Sequence, residues 1–258
     1  PTGEISAGAG YGSSGSTLSF GIKENNFNGK GINLNTNLSI TEESIRGMFA
    51  YTHPNFAYSD RSLTTSLQST VTDKEKDYGY KSTLNSISLG TGYEQYKDLY
   101  FYPSISISGE SLTTTANASA NYKKQEGSYF DTLFNYSITY DKRNSRYQPT
   151  DGFKSTWLQN LPILSDNSTI LNGYDITSYK EIIDDMVFTA GFYSRAINSI
   201  GDKDVRVSKR LFIPKTKLHG FEPGKVGPKD GTDYVGGNYI STFNTSTTVP
   251  YLLQTLET

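Results

Sequence analysis

The sequence contains no cysteine, which excludes both a disulfide framework and a metal site with cysteine ligands. Its formal net charge is −2, whereas a nucleic-acid partner calls for a basic surface. Hydrophobic residues make up 34% of the chain, and the mean hydropathy is −0.53. No segment approaches the roughly 20 consecutive apolar residues that a membrane-spanning helix needs. The composition therefore excludes a helical membrane protein.

Aromatic residues, in contrast, are plentiful. They make up 13% of the chain and include 20 tyrosines, in a background rich in serine, threonine, asparagine and glycine. A transmembrane β-barrel explains this mixture, because its strands face lipid on one side and a wet lumen on the other, with aromatic girdles at the interfaces. A secreted β-sandwich or β-solenoid explains the composition equally well.

Alternation of apolar and polar residues dominates the chain. It is clearest in segment 32–40, where Asn33, Asn35, Asn37 and Ser39 occupy every second position. Polar residues at alternate positions of a strand share one face, and these four cannot all face a packed core. That face must meet water or a polar lumen.

The alternation predicts twelve strands in a single domain, 1–258, without repeats or linkers. They are 5–11, 17–22, 32–40, 45–51, 63–71, 80–95, 101–107, 134–140, 152–161, 172–182, 185–198 and a last strand that begins near Gly237. The apolar parity slips between Leu84 and Ile87, which predicts a β-bulge there. Many segments run about ten residues, as tilted barrel strands do, whereas sandwich strands are nearer five or six. Strand length therefore favours the barrel.

Loop lengths indicate how the strands are oriented. Barrels of this kind have short periplasmic turns and longer external loops. The predicted external loops are the long polar stretches 111–131 and 199–235, with 41–43 as a short exception. The predicted periplasmic turns are 25–29, 52–60, 94–99, 141–151 and 181–185.

One turn motif lies in segment 140–152. Pro149 fixes its own φ and the Asp151–Gly152 pair permits a tight reversal, although an ordinary hairpin turn would have both features. The segment resembles the conserved turn of the BamA family of outer-membrane assembly proteins. The residues that carry this resemblance are Tyr140, Asp141, Pro149, Thr150, Asp151 and Gly152.

A second motif has a Leu-His-Gly-Phe tip, then Gly-Pro, then Gly-Gly-Asn. This order resembles the sixth external loop of the same family, which folds back into the barrel lumen. The matching residues are Leu218, His219, Gly220, Phe221, Gly227, Pro228, Gly236, Gly237 and Asn238. We expect Gly220 to allow a sharp turn and Phe221 to pack against the inner wall.

His219 departs from the family pattern, which has an arginine that pairs with an acidic residue in the lumen. A neutral imidazole cannot replace the charged planar guanidinium, although it can hydrogen-bond or can pair when protonated. The resemblance assigns the locking role to His219; an isolated loop histidine is the alternative.

Segments 2–12 and 25–31 resemble the first barrel strand and the first periplasmic turn of the family. Gly8, Gly10 and Gly12 weaken cross-strand packing in the first strand, unless they merely relieve crowding at the barrel wall. The resemblance implies a seam that opens sideways and pairs with client strands. The predicted gate residues are Ile5, Ser6, Ala7, Gly8, Ala9, Gly10 and Tyr11.

The resemblance covers about twelve of the sixteen strands of an antiparallel transmembrane β-barrel. It implies that both chain ends are truncated, with periplasmic domains and the last strands missing. The implied function is to fold and insert other barrels into the bacterial outer membrane, with lipid, unfolded clients and accessory lipoproteins as partners and no cofactor. A transport channel, either a two-partner secretion exporter or a passive pore, is the alternative.

The candidate groups for catalysis or metal binding are few and scattered. His53 and His219 lie in connections predicted at opposite ends of the barrel, and the adjacent Asp184 and Asp185 point apart on a strand. Segment 202–204 is too short for a calcium loop. We therefore expect neither an enzyme nor a metal site.

Overall fold

The computed structural model describes residues 2–12, 15–76, 78–218, 220–222, 224–231 and 233–248, and most of these lie in one antiparallel sheet. The sheet contains β1 (Gly3–Gly12), β2 (Gly15–Phe27), β3 (Ile32–Thr41), β4 (Ser44–His53), β5 (Ser62–Lys74), β6 (Tyr80–Tyr96), β7 (Leu99–Thr114), β8 (Gly127–Asp141), β9 (Asp151–Ser165), β10 (Thr169–Ile183), β11 (Met186–Ser199) and β14 (Tyr239–Thr247). A helix, α1 (Ala120–Lys123), and a hairpin of β12 (Lys229–Asp230) and β13 (Asp233–Tyr234) lie in the connections. The predicted all-β antiparallel fold and its twelve strands are confirmed.

The twelve strands pair in sequence order, so their connections alternate between the two ends of the sheet. All five predicted periplasmic turns lie at one end, and the two long connections, 115–126 and 200–238, lie at the other. The strands also extend beyond their predicted limits. Residues 111–114, for example, belong to β7 rather than to a loop.

The two faces of the sheet differ in chemistry. On one face, which we call the outer face, large apolar side chains are exposed and align across neighbouring strands. Leu67, Ile87 and Ile107 form one such row and are 48%, 46% and 43% exposed. The opposite, inner face carries polar pairs such as Ser66 and Ser88, whose hydroxyl oxygens lie 2.7 Å apart. This division is what a wall between hydrocarbon and a polar lumen requires.

Apolar burial centres on one small cluster, which lies on the inner face at the end with the long connections. It consists of Leu112, Ala118, Tyr122, Val207 and Val235, each at most 6% exposed. Within the described ranges, the β12–β13 hairpin is the only other sheet, so no second layer seals the outer face as a sandwich would require. No helix in these ranges is both long and apolar enough to cross a membrane.

The β-bulge predicted between Leu84 and Ile87 is wrong. The pairing of β6 with β7 continues without a shift through this segment, and the irregularity lies between Glu94 and Tyr96. The apolar parity slips because Leu84 is directed to the inner face, opposite Glu110, while Ile87 is directed outwards. An inward apolar side chain produces the same sequence pattern as an inserted residue.

Candidate functional site: the edge of β1 and the inner loop

Within the described residues, β1 pairs with β2 on one side and has no strand on its other side. Asn25 N donates to Thr2 O at 3.0 Å, and these two residues extend the β1–β2 register by one position. Because hydrogen-bonded pairs alternate along an antiparallel ladder, the even-numbered residues of β1 bond to β2. The odd-numbered residues therefore direct their N–H and C=O groups towards the free edge. They are Gly3, Ile5, Ala7, Ala9 and Tyr11.

The side chains of β1 leave this edge lightly packed. Ile5 and Tyr11 are 76% and 87% exposed. A Cβ added at Gly10 would meet nothing within 4 Å, and one added at Gly8 would meet the hydroxyl of Ser19 at 2.8 Å. Crowding at the wall therefore does not explain Gly10, and at Gly8 it involves only one movable side chain.

The connection 200–238, which we call the inner loop, folds over the inner face of the sheet. Val207 and Val235 of the loop pack against Leu112 of β7 and Tyr122 of α1. The expected return of this loop to the inner side of the wall is therefore observed, and the contact lies on β7 and the β7–β8 connection.

The Gly-Pro and Gly-Gly-Asn parts of the loop motif come together at the base of the inner loop. Leu211 and Gly237 exchange backbone hydrogen bonds of 2.8 and 2.9 Å. Val235 N donates to Pro228 O at 3.0 Å. Gly236 is buried with a φ of +71°, and a Cβ there would lie 3.0 Å from the carbonyl oxygen of Leu211. This position therefore requires glycine.

Two further motif residues support the same base. Gly227, which precedes the proline, has a φ of +127°, a conformation that L side chains rarely adopt. Asn238 O accepts a hydrogen bond of 2.8 Å from Ile197 N at the end of β11. The base of the inner loop thus continues directly into the strand ladder.

The tip of the inner loop has the predicted backbone turn but not the predicted packing. Gly220 has the predicted left-handed conformation, with a φ of +81°, and Leu218 is half-buried. Phe221, however, is 62% exposed, so the prediction that it packs against the inner wall is wrong. Residues before the motif tip contact the wall instead: Val207 packs against Leu112, and Lys217 O accepts a hydrogen bond of 3.0 Å from Asn244 Nδ2 of β14. His219 lies outside the described residues, and its locking role stays a prediction.

The connection 142–150 is held together by side-chain hydrogen bonds. Arg143 donates to both carboxylate oxygens of Asp141 at 2.8 and 2.7 Å, which raises the pKa of Arg143. Asn144 accepts a hydrogen bond from Thr150 N at 3.1 Å and donates one to its hydroxyl at 2.7 Å. These bonds fix the entry and the exit of the turn relative to each other.

The tight reversal predicted at Asp151–Gly152 is wrong, because both residues belong to β9. The chain reverses within 142–150, between Tyr140–Asp141 at the end of β8 and the residues after Pro149. Gly152 has a φ of +93°, and a Cβ there would lie 2.1 Å from Lys142 O. Close backbone approach, rather than a two-residue turn, explains this glycine.

Replacing Gly152 with alanine is expected to lower the free energy of unfolding by about 2 kcal/mol, since the left-handed φ and the close carbonyl both oppose a Cβ. Gly109→Ala is the matched control, because a Cβ there meets nothing within 4 Å. Denaturant unfolding of both variants in detergent checks this prediction. Equal unfolding midpoints for the two variants would contradict it.

In the part of the chain that the structure describes, no group of three or more histidine, cysteine or acidic residues is placed to hold a metal ion. The ring of His53, at the end of β4, lies edge-on to the ring of Phe56, with centroids 5.9 Å apart.

Comparison with known proteins places the chain in a family. Residues 26–257 match the Omp85 superfamily domain. The human sorting and assembly machinery component 50 homolog is 30% identical over 106 residues, which is 40% of this chain and 23% of that protein. The homolog from Bos taurus is 29% identical over 106 residues, which again cover 40% of this chain and 23% of that protein. The chain thus spans about a quarter of the length of these curated relatives.

A solved structure shares the fold. The crystal structure of BamA from Haemophilus ducreyi lacking POTRA domains 1–3 superposes with a TM-score of 0.81 at 23% identity, over 95% of this chain and 52% of that one. The twelve-stranded sheet is therefore part of the wall of a BamA-type barrel. Because the matching family domain covers most of the sequence, the chain belongs to the Omp85 superfamily.

Proposed function

We propose that the full-length protein folds and inserts other β-barrel proteins into the outer membrane of a bacterium, and that client strands pair with β1. The observation that carries this proposal is the light packing of β1 against β2, where a Cβ added at Gly10 would meet nothing within 4 Å. Ile5, Ala7 and Ala9 direct backbone groups away from β2, and no described strand receives them.

The physical argument concerns unpaired backbone groups. In hydrocarbon each unsatisfied N–H or C=O costs several kcal/mol, so an exposed strand edge strongly favours a new partner. An extended segment of another protein can satisfy these groups by adding a strand to the sheet. Because Gly8 and Gly10 contribute little cross-strand packing, an existing partner of β1 can be exchanged for a client strand.

The relatives support assembly as the general role, since one is BamA and another is named as a component of a sorting and assembly machinery. By this proposal the partners are outer-membrane lipid, unfolded barrel clients and accessory lipoproteins. The work consists of strand exchange, so it involves no covalent step and no cofactor.

A transport channel is the second candidate, and the polar inner face favours it. The position of the inner loop argues against a passive pore, because Val207 and Val235 fix the loop on the face that would line the channel. An exporter of the same superfamily would share these features, so it must be distinguished by experiment.

Reconstitution of the purified full-length protein in liposomes tests the proposal. An unfolded client barrel is added, and its folding is followed by heat-modifiable migration, while efflux of a small trapped solute is measured in the same vesicles. We expect faster client folding than in protein-free liposomes, with little efflux. Client folding no faster than in protein-free liposomes would contradict the proposal. If large solute efflux accompanied this slow folding, the result would favour the channel.

A further inference from the structure

Four charged residues join the inner loop to the wall. Arg206 and Lys209 belong to the loop, Glu110 to β7 and Asp131 to β8. Arg206 Nη1 lies 3.4 Å from Glu110 Oε2, and Arg206 Nη2 donates to Asp131. Lys209 Nζ lies 2.9 Å from Asp131 Oδ2. Two positive and two negative groups therefore balance within one site.

Arg206 is the most deeply buried member of this group. It is 1% exposed, and its guanidinium lies 4.4 Å from the centre of the Tyr129 ring. Glu110 is also buried and accepts a hydrogen bond of 2.9 Å from the hydroxyl of Ser82. Burial, followed by the charge of Arg206, lowers the pKa of Lys209, whereas a guanidinium does not lose its proton in proteins. Arg206 is thus the permanent positive charge of the site.

The neighbours of Arg206 are anchored as well. Val205 and Val207 are 2% and 4% exposed, in contrast to Phe221 at the tip of the same loop. The backbone N–H of Val207 donates to Gln125 Oε1 at 2.7 Å, across to the β7–β8 connection. The loop is therefore held where Arg206 enters the wall.

We infer that Arg206 anchors the inner loop to the barrel wall, the role that the family resemblance assigns to His219. Arg206 acts as a positioning residue: its charge compensates the acidic side chains of Glu110 and Asp131 beneath the loop. Without that charge, the closed loop would bury two carboxylates against Lys209 alone, and an uncompensated buried charge strongly disfavours the closed arrangement. This inference concerns the position of the loop and does not depend on the assembly activity.

Hydrogen exchange on the full-length protein in detergent tests the inference. Arg206→Met keeps most of the apolar stem but removes the charge. We expect exchange at the amides of Val207 and Leu211 to become about 100-fold faster, while peptides from β9 and β10 exchange as in the wild type. Glu110→Gln added to Arg206→Met removes one unpaired carboxylate, and we expect it to restore about tenfold of the lost protection.

Two controls separate charge pairing from general damage. Lys225→Met breaks an exposed ion pair with Glu222 in the same loop, 2.8 Å long, and should leave exchange at Val207 unchanged. Arg206→Lys keeps the charge and should retain more protection than Arg206→Met. If Arg206→Met does not fold, Asp131→Asn, which removes a partner of Arg206 at nearly constant shape, should give the same increase. Exchange at Val207 that is unchanged in the folded Arg206 or Asp131 variant would overturn the inference.

Discussion

Replacing Ala7 with proline in the full-length protein is expected to lower the assembly of client barrels at least about tenfold, since the loss of one backbone hydrogen bond in lipid costs several kcal/mol. Ala7 is one of the odd-numbered residues of β1, whose backbone groups do not bond to β2, so its N–H points to the free edge. Proline removes this donor and is tolerated at an edge position of a sheet. The β1–β2 ladder should therefore stay intact. The measurement is the amount of folded client barrel in cells that depend on the variant.

Two substitutions control this experiment. Ala7→Val keeps the N–H and adds a branched side chain, so client assembly should stay near the wild-type level. Gly8→Pro removes a donor that faces β2, so it should destabilise the β1–β2 pair itself. Normal client levels with a stably folded Ala7→Pro protein would contradict strand addition at this edge.

The second large effect concerns the outer face. Ile87 lies near the middle of β6, in a row with Leu67 on one side and Ile107 on the other. If this row faces hydrocarbon, Ile87→Lys should lower the free energy of unfolding in a lipid bilayer by about 2–4 kcal/mol. Guanidinium unfolding in phospholipid vesicles measures this change.

The neighbouring residue supplies a matched control. Ser86 adjoins Ile87 in sequence and pairs with Gln68 and Ser108 on the inner face. Ser86→Lys places the same charge on the opposite side of the wall, where water and polar groups can solvate it. It should therefore lower the free energy of unfolding far less than Ile87→Lys does. Equal losses in the free energy of unfolding for Ser86→Lys and Ile87→Lys would exclude the assignment of the outer face to lipid and the inner face to water.

The strands were predictable from the sequence because period-two alternation is a local property. In β3 the asparagines share one face whatever the rest of the chain does. The strand ends were less predictable, since pairing continues wherever two extended segments stay adjacent. Residues 111–114 continue β7 because residues 127 and 128 of β8, together with β6, remain beside them.

The loop contacts depend on tertiary structure and could not be read from spacing alone. The sequence motif directed attention to Phe221, yet the buried part of the loop surrounds Arg206. One sequence feature could have indicated this: Val205 and Val207 flank the arginine in an otherwise polar stretch, which suggests burial. The acidic partners Glu110 and Asp131, far away in sequence, carry no local indication of that role.

Disulfide cross-linking along β1 during client insertion tests directly whether client strands pair with this strand. The chain has no cysteine, so single cysteines can be placed at Ile5, Ala7 and Ala9, with Ile87 on the outer wall as the control. We predict cross-links to the client from the three β1 positions and not from Ile87. Moving two residues along β1 should shift the linked client position by two residues, as a strand ladder requires. Efficient client insertion without cross-links at β1, or with equal cross-linking at Ile87, would contradict strand addition at β1.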